Sequence, residues 1–307
     1  RKFRLEEKEA SQIASARLYI SGLGVYEACL NGEKAGDEYL APFYNDYRFW
    51  IQYQPYDVTQ QLKPGENVLS VMLGDGWYKG RFSYLDEARV KEIYGDDFLL
   101  TAQLLITFGD GTRQMITTDE TWKCISSPVL FSNIYDGEVY DAGREIWDRD
   151  ACRLAGGVEE ASVPAVRAAA PKGKLTERMS VPVRIHERFS PASLLITPAG
   201  EQVLDFGQEI TGWVEFDCRA EQGTEISLQY GEILQDDNFY RDNLRTAKAE
   251  YTYIADGEKR HVRPHFTFYG FRYVKVSGIT LVQDMLSSFH FEACAVYSSL
   301  ERTGSVT

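Results

Sequence analysis

The stretch SARLYISGLGVYEACLNG, Ser15 to Gly32, decides the fold class of this 307-residue chain. Apolar and polar residues alternate along much of it, which is the two-residue period of a half-buried β-strand. The run ends in Asn31-Gly32, a dipeptide typical of tight hairpin turns because both residues adopt a positive φ at low cost. The stretch therefore predicts a strand that turns back into an antiparallel partner.

The same arrangement recurs along the chain. A second hairpin is predicted around Gly109-Asp110-Gly111, and the pattern of strand, turn and strand repeats around Gln222-Gly223 and Asp256-Gly257. Turn signals follow one another at intervals of about ten residues, and convincing amphipathic helices are scarce. These features predict an all-β chain made of two consecutive antiparallel β-sandwich or jelly-roll domains.

One change of composition divides the chain. The segment from Cys152 to Ile185 is rich in alanine, proline and glycine and poor in aromatic residues, which favours an extended connection. We therefore predict an N-terminal jelly-roll domain over residues 1–172, a linker or crossover over 173–190, and a second β-sandwich domain over 191–307.

Charge and cysteine content exclude several classes of partner. The net charge of −13 repels a polyanion, so nucleic acid is not an expected partner. No apolar run approaches the ~20 residues of a membrane span, so no membrane contact is expected either. The five cysteines are widely spaced without a CxxC pair, which indicates neither a zinc site nor a disulfide framework. Free thiols and a charged N-terminus without a signal peptide predict a cytoplasmic location.

Several motifs occur in an order that resembles a known family. ARLYISGLGVYEACLNGEKAGDEYLAPFYNDY, YQPYDVTQQLKPGENVLSVMLGDGWYKGRF and DGEVYDA resemble the N-terminal β-sandwich of bacterial α-L-rhamnosidases of glycoside hydrolase family 78. LDFGQEITGWVEF and RPHFTFYGFRYVKVSG resemble the concanavalin-like β-domain that follows it in that family. Part of the first motif is similar to the galactose-binding-type jelly roll of other glycosidases, so it carries information on fold more than on function.

The resemblance implies a division of labour. In the family, an (α/α)6 barrel after these β domains performs an inverting hydrolysis with two carboxyl groups roughly 6.5–9.5 Å apart. The chain ends at VYSSLERTGSVT, where the resemblance implies that the barrel begins. It is therefore expected to be the non-catalytic part of a rhamnosidase, inactive alone, with the barrel as its partner and a rhamnoside as the substrate of the parent enzyme.

The acidic stretch YDGEVYDAGRE is the first candidate site. Three hypotheses apply to its carboxylates: an acid and base pair, a structural calcium site built with loop carbonyls, or a capped loop whose carboxylates pair with Arg144. The family's common form has arginine directly after YDA, whereas Gly143 intervenes here. This interpretation requires no cofactor, and a structural calcium ion is the one cofactor whose presence it leaves open. The candidate metal ligands are Asp136, Glu138 and Asp141.

Two aromatic stretches are the candidate sugar site. In GDGWYKGRF, glycines permit a tight loop that presents aromatic rings, and such rings stack on the C–H face of a sugar while charged groups bond its hydroxyls. APFYNDYRFW adds polar groups to aromatic ones. The alternative is that the large rings pack inside the protein. The candidate carbohydrate ligands are Asp75, Trp77, Tyr78, Arg81, Asn45 and Asp46.

Three functions follow from these observations. The first is the non-catalytic front part of an α-L-rhamnosidase, which supports the catalytic barrel and binds carbohydrate weakly or not at all. The second is a stand-alone lectin-like module that binds rhamnose. The third is a purely structural unit that packs on a helical barrel and carries a large apolar surface for that purpose.

Overall fold

The computed structural model describes residues 1–81, 94–145, 147–148, 153–154, 162–169, 171–282 and 286–305. Strands dominate this part of the chain, which confirms the predicted all-β fold. Its three α-helices are single turns, α1 (Glu7–Ala10), α2 (Gly76–Lys79) and α3 (Leu286–Phe289). Within the described ranges, no helix is long and apolar enough to cross a membrane.

The first half of the chain forms fourteen of the strands in the described ranges. In chain order they are β1 (Lys2–Leu5), β2 (Ile13–Leu23), β3 (Val25–Leu30), β4 (Glu33–Lys34), β5 (Trp50–Asp57), β6 (Gly65–Gly74), β7 (Leu99–Phe108), β8 (Arg113–Thr117), β9 (Lys123–Cys124), β10 (Val129–Asn133), β11 (Gly137–Asp141), β12 (Trp147–Asp148), β13 (Arg153–Leu154) and β14 (Val163–Pro164).

Strands of the second half are longer on average. They are β15 (Lys174–Glu177), β16 (Val183–Phe189), β17 (Ser193–Ile196), β18 (Gln202–Cys218), β19 (Glu225–Gly231), β20 (Ile233–Gln235), β21 (Asn238–Tyr240), β22 (Glu250–Ile254), β23 (Arg260–Val262), β24 (Tyr269–Ser277) and β25 (Glu292–Ser298). Short 3₁₀ turns occur at Thr59–Gln61, Ala142–Arg144 and Asp242–Leu244.

The turn at Asn31-Gly32 behaves as predicted. Strand β3 pairs antiparallel with β4, with Leu30 opposite Glu33. Asn31 and Gly32 have φ values of 55° and 85°, as a hairpin turn of this hand requires. The predicted hairpin around Gly109-Asp110-Gly111 is also confirmed, since β7 pairs antiparallel with β8.

Two other turns join strands that do not pair with each other. Strand β18 pairs with β17, β23, β24 and β25, whereas β19, beyond the turn at Gln222-Gly223, pairs with β22 and β24. Likewise β22 pairs with β11 and β19, and β23, beyond Asp256-Gly257, pairs with β18. Turn residues therefore mark where these strands end, while long-range packing decides which strands become neighbours.

The first domain is a sandwich of two sheets. A five-stranded sheet has the order β15-β5-β2-β7-β8, and a four-stranded sheet has the order β1-β6-β3-β4. Alternate residues of β2 and β3 face each other between the sheets and are almost fully buried, among them Leu18, Ile20, Ala28 and Leu30. The chain passes from one sheet to the other at Gly24, where a Cβ atom would lie 2.0 Å from the carbonyl oxygen of Gly74.

A curled ten-stranded sheet forms the second domain. Its order is β10-β11-β22-β19-β24-β18-β25-β16, with β17 and β23 attached to β18. Large aromatic side chains such as Trp213, Tyr230 and Phe271 fill its core, and Tyr230 stacks on Tyr269 with ring centroids 3.7 Å apart. This core accounts for much of the chain's unusual aromatic content.

The two domains exchange strands. Strands β10 and β11 come from the first half of the chain but belong to the ten-stranded sheet, where β11 pairs parallel with β22. The segment predicted as a linker, 173–190, contains β15, which pairs parallel with β5, and β16, which pairs antiparallel with β25. The boundaries at 172 and 190 stay predictions, and the chain crosses between the sheets more than once.

Four of the five cysteines lie in the described ranges, and all four are free thiols. Cys218 and Cys294 are buried, Cys29 is half-buried and Cys124 is exposed. Burial raises the pKa of the Cys218 thiol, so it is protonated and unreactive at neutral pH. Cys152 lies outside the described residues.

A buried ion pair joins the two domains. Nη2 of Arg263, which follows β23, donates to both carboxylate oxygens of Glu27 on β3, at 2.8 and 2.7 Å. The two side chains are only 20% and 10% exposed. Burial alone raises the pKa of Glu27, but the charge of Arg263, its hydrogen bond and the neighbouring His265 and Lys34 together leave the pKa below its usual value.

Removing one partner of this pair leaves the other charge buried and unpaired. We expect Glu27→Gln to lower the free energy of unfolding by about 3 kcal/mol, because breaking a buried pair leaves the other ion without compensation. Glu66→Gln is the matched control, since Glu66 is exposed and faces Lys2 at 3.9 Å, and its loss should cost less than about 1 kcal/mol. Urea unfolding followed by fluorescence measures both. Equal effects of the two substitutions would contradict the structural role of Glu27.

Candidate carbohydrate-binding surface

The two stretches predicted to bind sugar lie side by side. Tyr47, from APFYNDYRFW, and Tyr78, from GDGWYKGRF, pack edge to face with ring centroids 5.0 Å apart. Tyr94 also packs edge to face with Tyr47, with ring centroids 4.9 Å apart. With Leu23 and Ile51 these rings form a small apolar cluster beneath the surface. Tyr47 and Tyr78 are therefore the buried floor of this region.

A close backbone approach positions the GDGWYKGRF loop. Gly76 has a φ of 51°, and a Cβ atom there would lie 2.6 Å from the carbonyl carbon of Gly24. The helix α2 therefore sits directly against the corner between β2 and β3. The backbone N–H of Asp75 donates to the Ser132 hydroxyl at 3.0 Å, while Trp77 is half-buried.

Asn45 shapes its own loop. It is completely buried, its Nδ2 donates to the Phe43 carbonyl at 2.9 Å, and its Oδ1 accepts from the backbone N–H of Gln52 at 3.1 Å. Both ends of the amide are therefore engaged inside the protein. These two hydrogen bonds fix the loop geometry and leave the amide few further hydrogen-bonding positions, while the role of Asn45 as a sugar ligand stays a prediction.

Asp46 is oriented by a neighbouring arginine. Arg48 donates through Nε and Nη2 to its two carboxylate oxygens at 2.8 and 2.7 Å. This hydrogen bonding holds the pKa of Asp46 below its usual value. The Arg48 guanidinium also lies 5.7 Å from the ring centroid of Phe49 and 6.0 Å from that of Tyr94, so the charged pair is seated among aromatic rings.

An exposed aromatic surface surrounds this pair. We call it the aromatic surface and define it by Tyr44, Phe49 and Trp50, which are 49%, 64% and 38% exposed. The rings of Phe49 and Trp50 lie 6.3 Å apart with an interplanar angle of 35°. A tight turn makes both rings accessible, since the backbone N–H groups of Phe49 and Trp50 both donate to the Asp46 carbonyl.

Sequence reasoning did not single out Phe49 and Trp50. A signal was present, because two consecutive large aromatics at the start of a strand break the alternation that buries every second residue. Successive residues within β5 point to opposite faces of the sheet. Phe49 lies in the turn before β5 and does not follow this alternation, so both Phe49 and Trp50 are exposed. Only the turn geometry distinguishes these exposed rings from the buried ring of Tyr47.

Arg81 lies in a buried ion pair between the two domains. Its guanidinium donates to Asp136 at 2.5 Å through Nη2 and at 3.3 Å through Nε. It also donates to the hydroxyl and the carbonyl of Thr246 at 2.8 and 2.9 Å. With all three nitrogens engaged and only 4% of the residue exposed, Arg81 contributes to the contact between the domains, and its role as a sugar ligand stays a prediction.

The carboxylates of the acidic stretch YDGEVYDAGRE also form hydrogen bonds within the protein. Glu138 is fully buried and accepts hydrogen bonds from the backbone N–H groups of His265 and Phe266 at 3.0 and 2.8 Å. Asp141 caps the following 3₁₀ turn by accepting from the N–H of Gly143 at 3.0 Å, and it pairs with Arg144 at 3.0 Å. These carboxylate oxygens face protein donors.

A shared metal centre is not assembled from these carboxylates. Across the described ranges, no group of three or more His, Cys, Asp or Glu side chains is arranged to hold a metal ion. Asp136, Glu138 and Asp141 each turn toward a different set of donors. Asp136 and Glu138 are buried and accept hydrogen bonds from protein donors, so they do not form an exposed acid and base pair.

Both halves of the chain match known family domains. Residues 11–187 match the α-L-rhamnosidase N-terminal domain, and residues 196–297 match the bacterial α-L-rhamnosidase concanavalin-like domain. The two matched ranges follow each other along the chain, as the resemblance of the motifs implies.

Individual relatives agree with these matches. An α-L-rhamnosidase of Streptomyces avermitilis is 37% identical over 281 residues, which cover 90% of this chain and 26% of that protein. One of Formosa agariphila is 31% identical over 306 residues, covering 96% of this chain and 31% of that protein. The chain thus spans about a quarter to a third of the length of these curated relatives.

Solved structures show the same partial overlap. The crystal structure of Streptomyces avermitilis α-L-rhamnosidase complexed with L-rhamnose matches 97% of this chain with a TM-score of 0.87 and 33% identity, over 28% of that protein. The native α-L-rhamnosidase of Aspergillus terreus matches 99% of the chain with a TM-score of 0.86 and 32% identity, over 34% of that protein. This chain therefore belongs to the α-L-rhamnosidase N-terminal domain family.

Proposed function

We propose that this chain is a non-catalytic β region of an α-L-rhamnosidase, which supports a catalytic domain of the same polypeptide. The observation that carries the proposal is that the carboxylates of the acidic stretch are hydrogen-bonded to groups of the protein itself. Inverting hydrolysis needs one carboxylic acid beside the leaving oxygen and one carboxylate beside a water. Asp136 and Glu138 instead accept hydrogen bonds from Arg81 and from backbone N–H groups, so they fasten the two domains together.

The partial overlap with relatives supports the same division. Nearly the whole chain aligns with rhamnosidases, yet it accounts for only 26% and 31% of the length of the two relatives described above. Most of each relative therefore lies outside the aligned region. Hydrolysis of rhamnosides is assigned here to that remaining part of the polypeptide.

The purified chain is therefore expected to release no product from an aryl α-L-rhamnoside. Release of the aryl group is followed by absorbance at high protein concentration and compared with a buffer blank. A rate above the blank that persists through further purification would contradict the proposal. Loss of such a rate in Glu138→Gln, with folding verified by circular dichroism, would identify this buried carboxylate as the group responsible.

A second function, carbohydrate binding, is favoured by the aromatic surface. Aromatic rings held at the surface stack on the apolar face of a sugar, and charged groups at the edge of the rings bond its hydroxyls. Phe49 and Trp50 supply the rings, while Asp46 and Arg48 supply acceptors and donors next to them. Trp77 and Asp75 remain predicted ligands on the neighbouring loop.

Trp50→Ala should weaken binding of L-rhamnose at least tenfold, a change that corresponds to about 1.4 kcal/mol. Phe49→Ala is expected to have a similar effect, since both rings contribute to one surface. Met115→Ala is the matched control, because Met115 is also exposed but lies on β8. Isothermal titration with millimolar sugar measures the three variants. Absence of heat with the unmodified chain, or equal affinity in all variants, would reject sugar binding at this surface.

Structural calcium at the acidic stretch is the remaining prediction from the sequence. The ion pairs described above argue for a different role, in which Asp136 neutralises the buried Arg81. On that basis Asp136→Asn should lower the free energy of unfolding by about 3 kcal/mol, to the same extent in calcium and in a chelator. Thermal unfolding in both buffers measures the effect.

Asp141→Asn is the control for this comparison. Asp141 pairs with an exposed arginine, Arg144, so its replacement should cost less than about 1 kcal/mol. Stabilisation of the unmodified chain by calcium, absent from both variants, would restore the calcium hypothesis.

A further inference from the structure

A row of charged side chains crosses one face of the second sheet. On β18, Glu215 and Asp217 point to the same face because they are two residues apart. Strand β23 lies on one side of them, where His261 is directly opposite Asp217 in the antiparallel register. Strand β25 lies on the other side, where Glu292 is opposite Glu215.

Both ring nitrogens of His261 face carboxylates. Nδ1 lies 3.0 Å from Oδ1 of Asp217, and Nε2 lies 3.3 Å from Oε2 of Glu215. An ionised carboxylate only accepts hydrogen bonds, and a neutral imidazole donates from only one nitrogen. Both contacts are hydrogen bonds at once only when His261 carries a proton on each nitrogen.

The two carboxylates are themselves held ionised. Glu215 is almost completely buried and accepts from Nη1 of Arg188 at 2.7 Å and from Nε1 of Trp213 at 3.1 Å. Burial alone raises the pKa of Glu215, but the hydrogen bonds from His261, Arg188 and Trp213 bring it down to about 2. Hydrogen bonds from His290 and His261 also hold the pKa of Asp217 below its usual value.

The charge balance around His261 also favours the protonated imidazole. Three carboxylates, Glu215, Asp217 and Glu292, are in contact with two permanent cations, Arg188 and Lys259. A protonated imidazole compensates the third negative charge. Four other titratable or charged groups lie near this row. Nδ1 of His290 lies 2.9 Å from Asp217, and the sulfur of Cys294 accepts a hydrogen bond from Arg188 at 3.2 Å. Tyr39 and Arg263 interact electrostatically with Glu215.

We infer that His261 is an imidazolium ion bound between Glu215 and Asp217, and that it acts as a proton-dependent clasp joining β23 to β18. Loss of one proton breaks one of the two hydrogen bonds and leaves a carboxylate facing a ring nitrogen that no longer donates. Strand β23 is only three residues long and precedes Arg263, so the clasp also steadies the segment that carries the ion pair to Glu27.

The sign of the pH dependence follows from linkage. The hydrogen bond with Glu215 and the second one with Asp217 raise the pKa of His261 above its usual value. A group whose pKa is raised in the folded state contributes its full stabilisation below the pKa of the unfolded state, and loses it as the pH rises through the folded-state pKa. Stability from the clasp is therefore present in mildly acid solution and lost on the alkaline side.

The direct test is a histidine titration by heteronuclear NMR on the unmodified 307-residue chain. His261 should titrate above the usual histidine pKa of about 6.5. The His261 signal, assigned by its loss in His261→Gln, should also show protons on both nitrogens near pH ~6, below that usual value. A His261 pKa at or below the usual value would overturn the inference.

Thermal unfolding provides the second measurement. Between about pH 6 and about pH 9, a range that spans the usual histidine pKa, the melting temperature of the unmodified chain should fall more than that of His261→Gln. Asp217→Asn should lower the pKa of His261, whereas His186→Gln, which removes no contact with Glu215 or Asp217, should leave the pKa of His261 unchanged. Equal pH dependence in His261→Gln and the unmodified chain would also overturn the clasp.

Discussion

The parallel pairing of β11 with β22 is the constraint on which the rest of the structure depends. It inserts a strand from the first half of the chain into the sheet of the second half. The pairing requires glycine at position 137, because a Cβ atom there would lie 1.7 Å from the carbonyl oxygen of Glu250. It also brings Glu138 to the backbone N–H groups of His265 and Phe266. A strand from the first half of the chain is therefore part of the second domain's sheet and core, so separating the two domains would require this pairing to break.

Buried charges reinforce this connection. Arg81 with Asp136, and Glu27 with Arg263, each join residues that are far apart in sequence. Such pairs cost desolvation energy, so they are weak evidence for net stability, but they are specific because an unpaired partner would be heavily penalised. The apolar cores supply the larger share of the folding free energy, while the ion pairs select one relative arrangement of the two domains.

The arrangement also separates the roles of similar residues. The carboxylates of Asp136 and Glu138 are buried and hydrogen-bonded to protein donors, whereas Asp46 lies beside exposed rings. Tyr47 and Tyr78 are buried in a small apolar cluster, and Arg81 forms a buried ion pair with Asp136. The exposed rings with their ion pair are the basis of the proposed binding function, and the engaged carboxylates are the basis of the proposed supporting function.

Local rules determined much of this from the sequence alone. The all-β class, the hairpins at Asn31-Gly32 and at Gly109-Asp110-Gly111, and the family resemblance all follow from alternation, turn residues and motif order. These are properties of neighbouring residues, so they are visible without a structure. Tertiary structure decided the partners of β11, β18 and β23, the burial of Arg81 and Asn45, and the exposure of Phe49 and Trp50. It also placed His261 between two carboxylates 44 and 46 residues away. Those outcomes depend on contacts between distant segments, and a side chain's chemical type does not specify which segment it will meet.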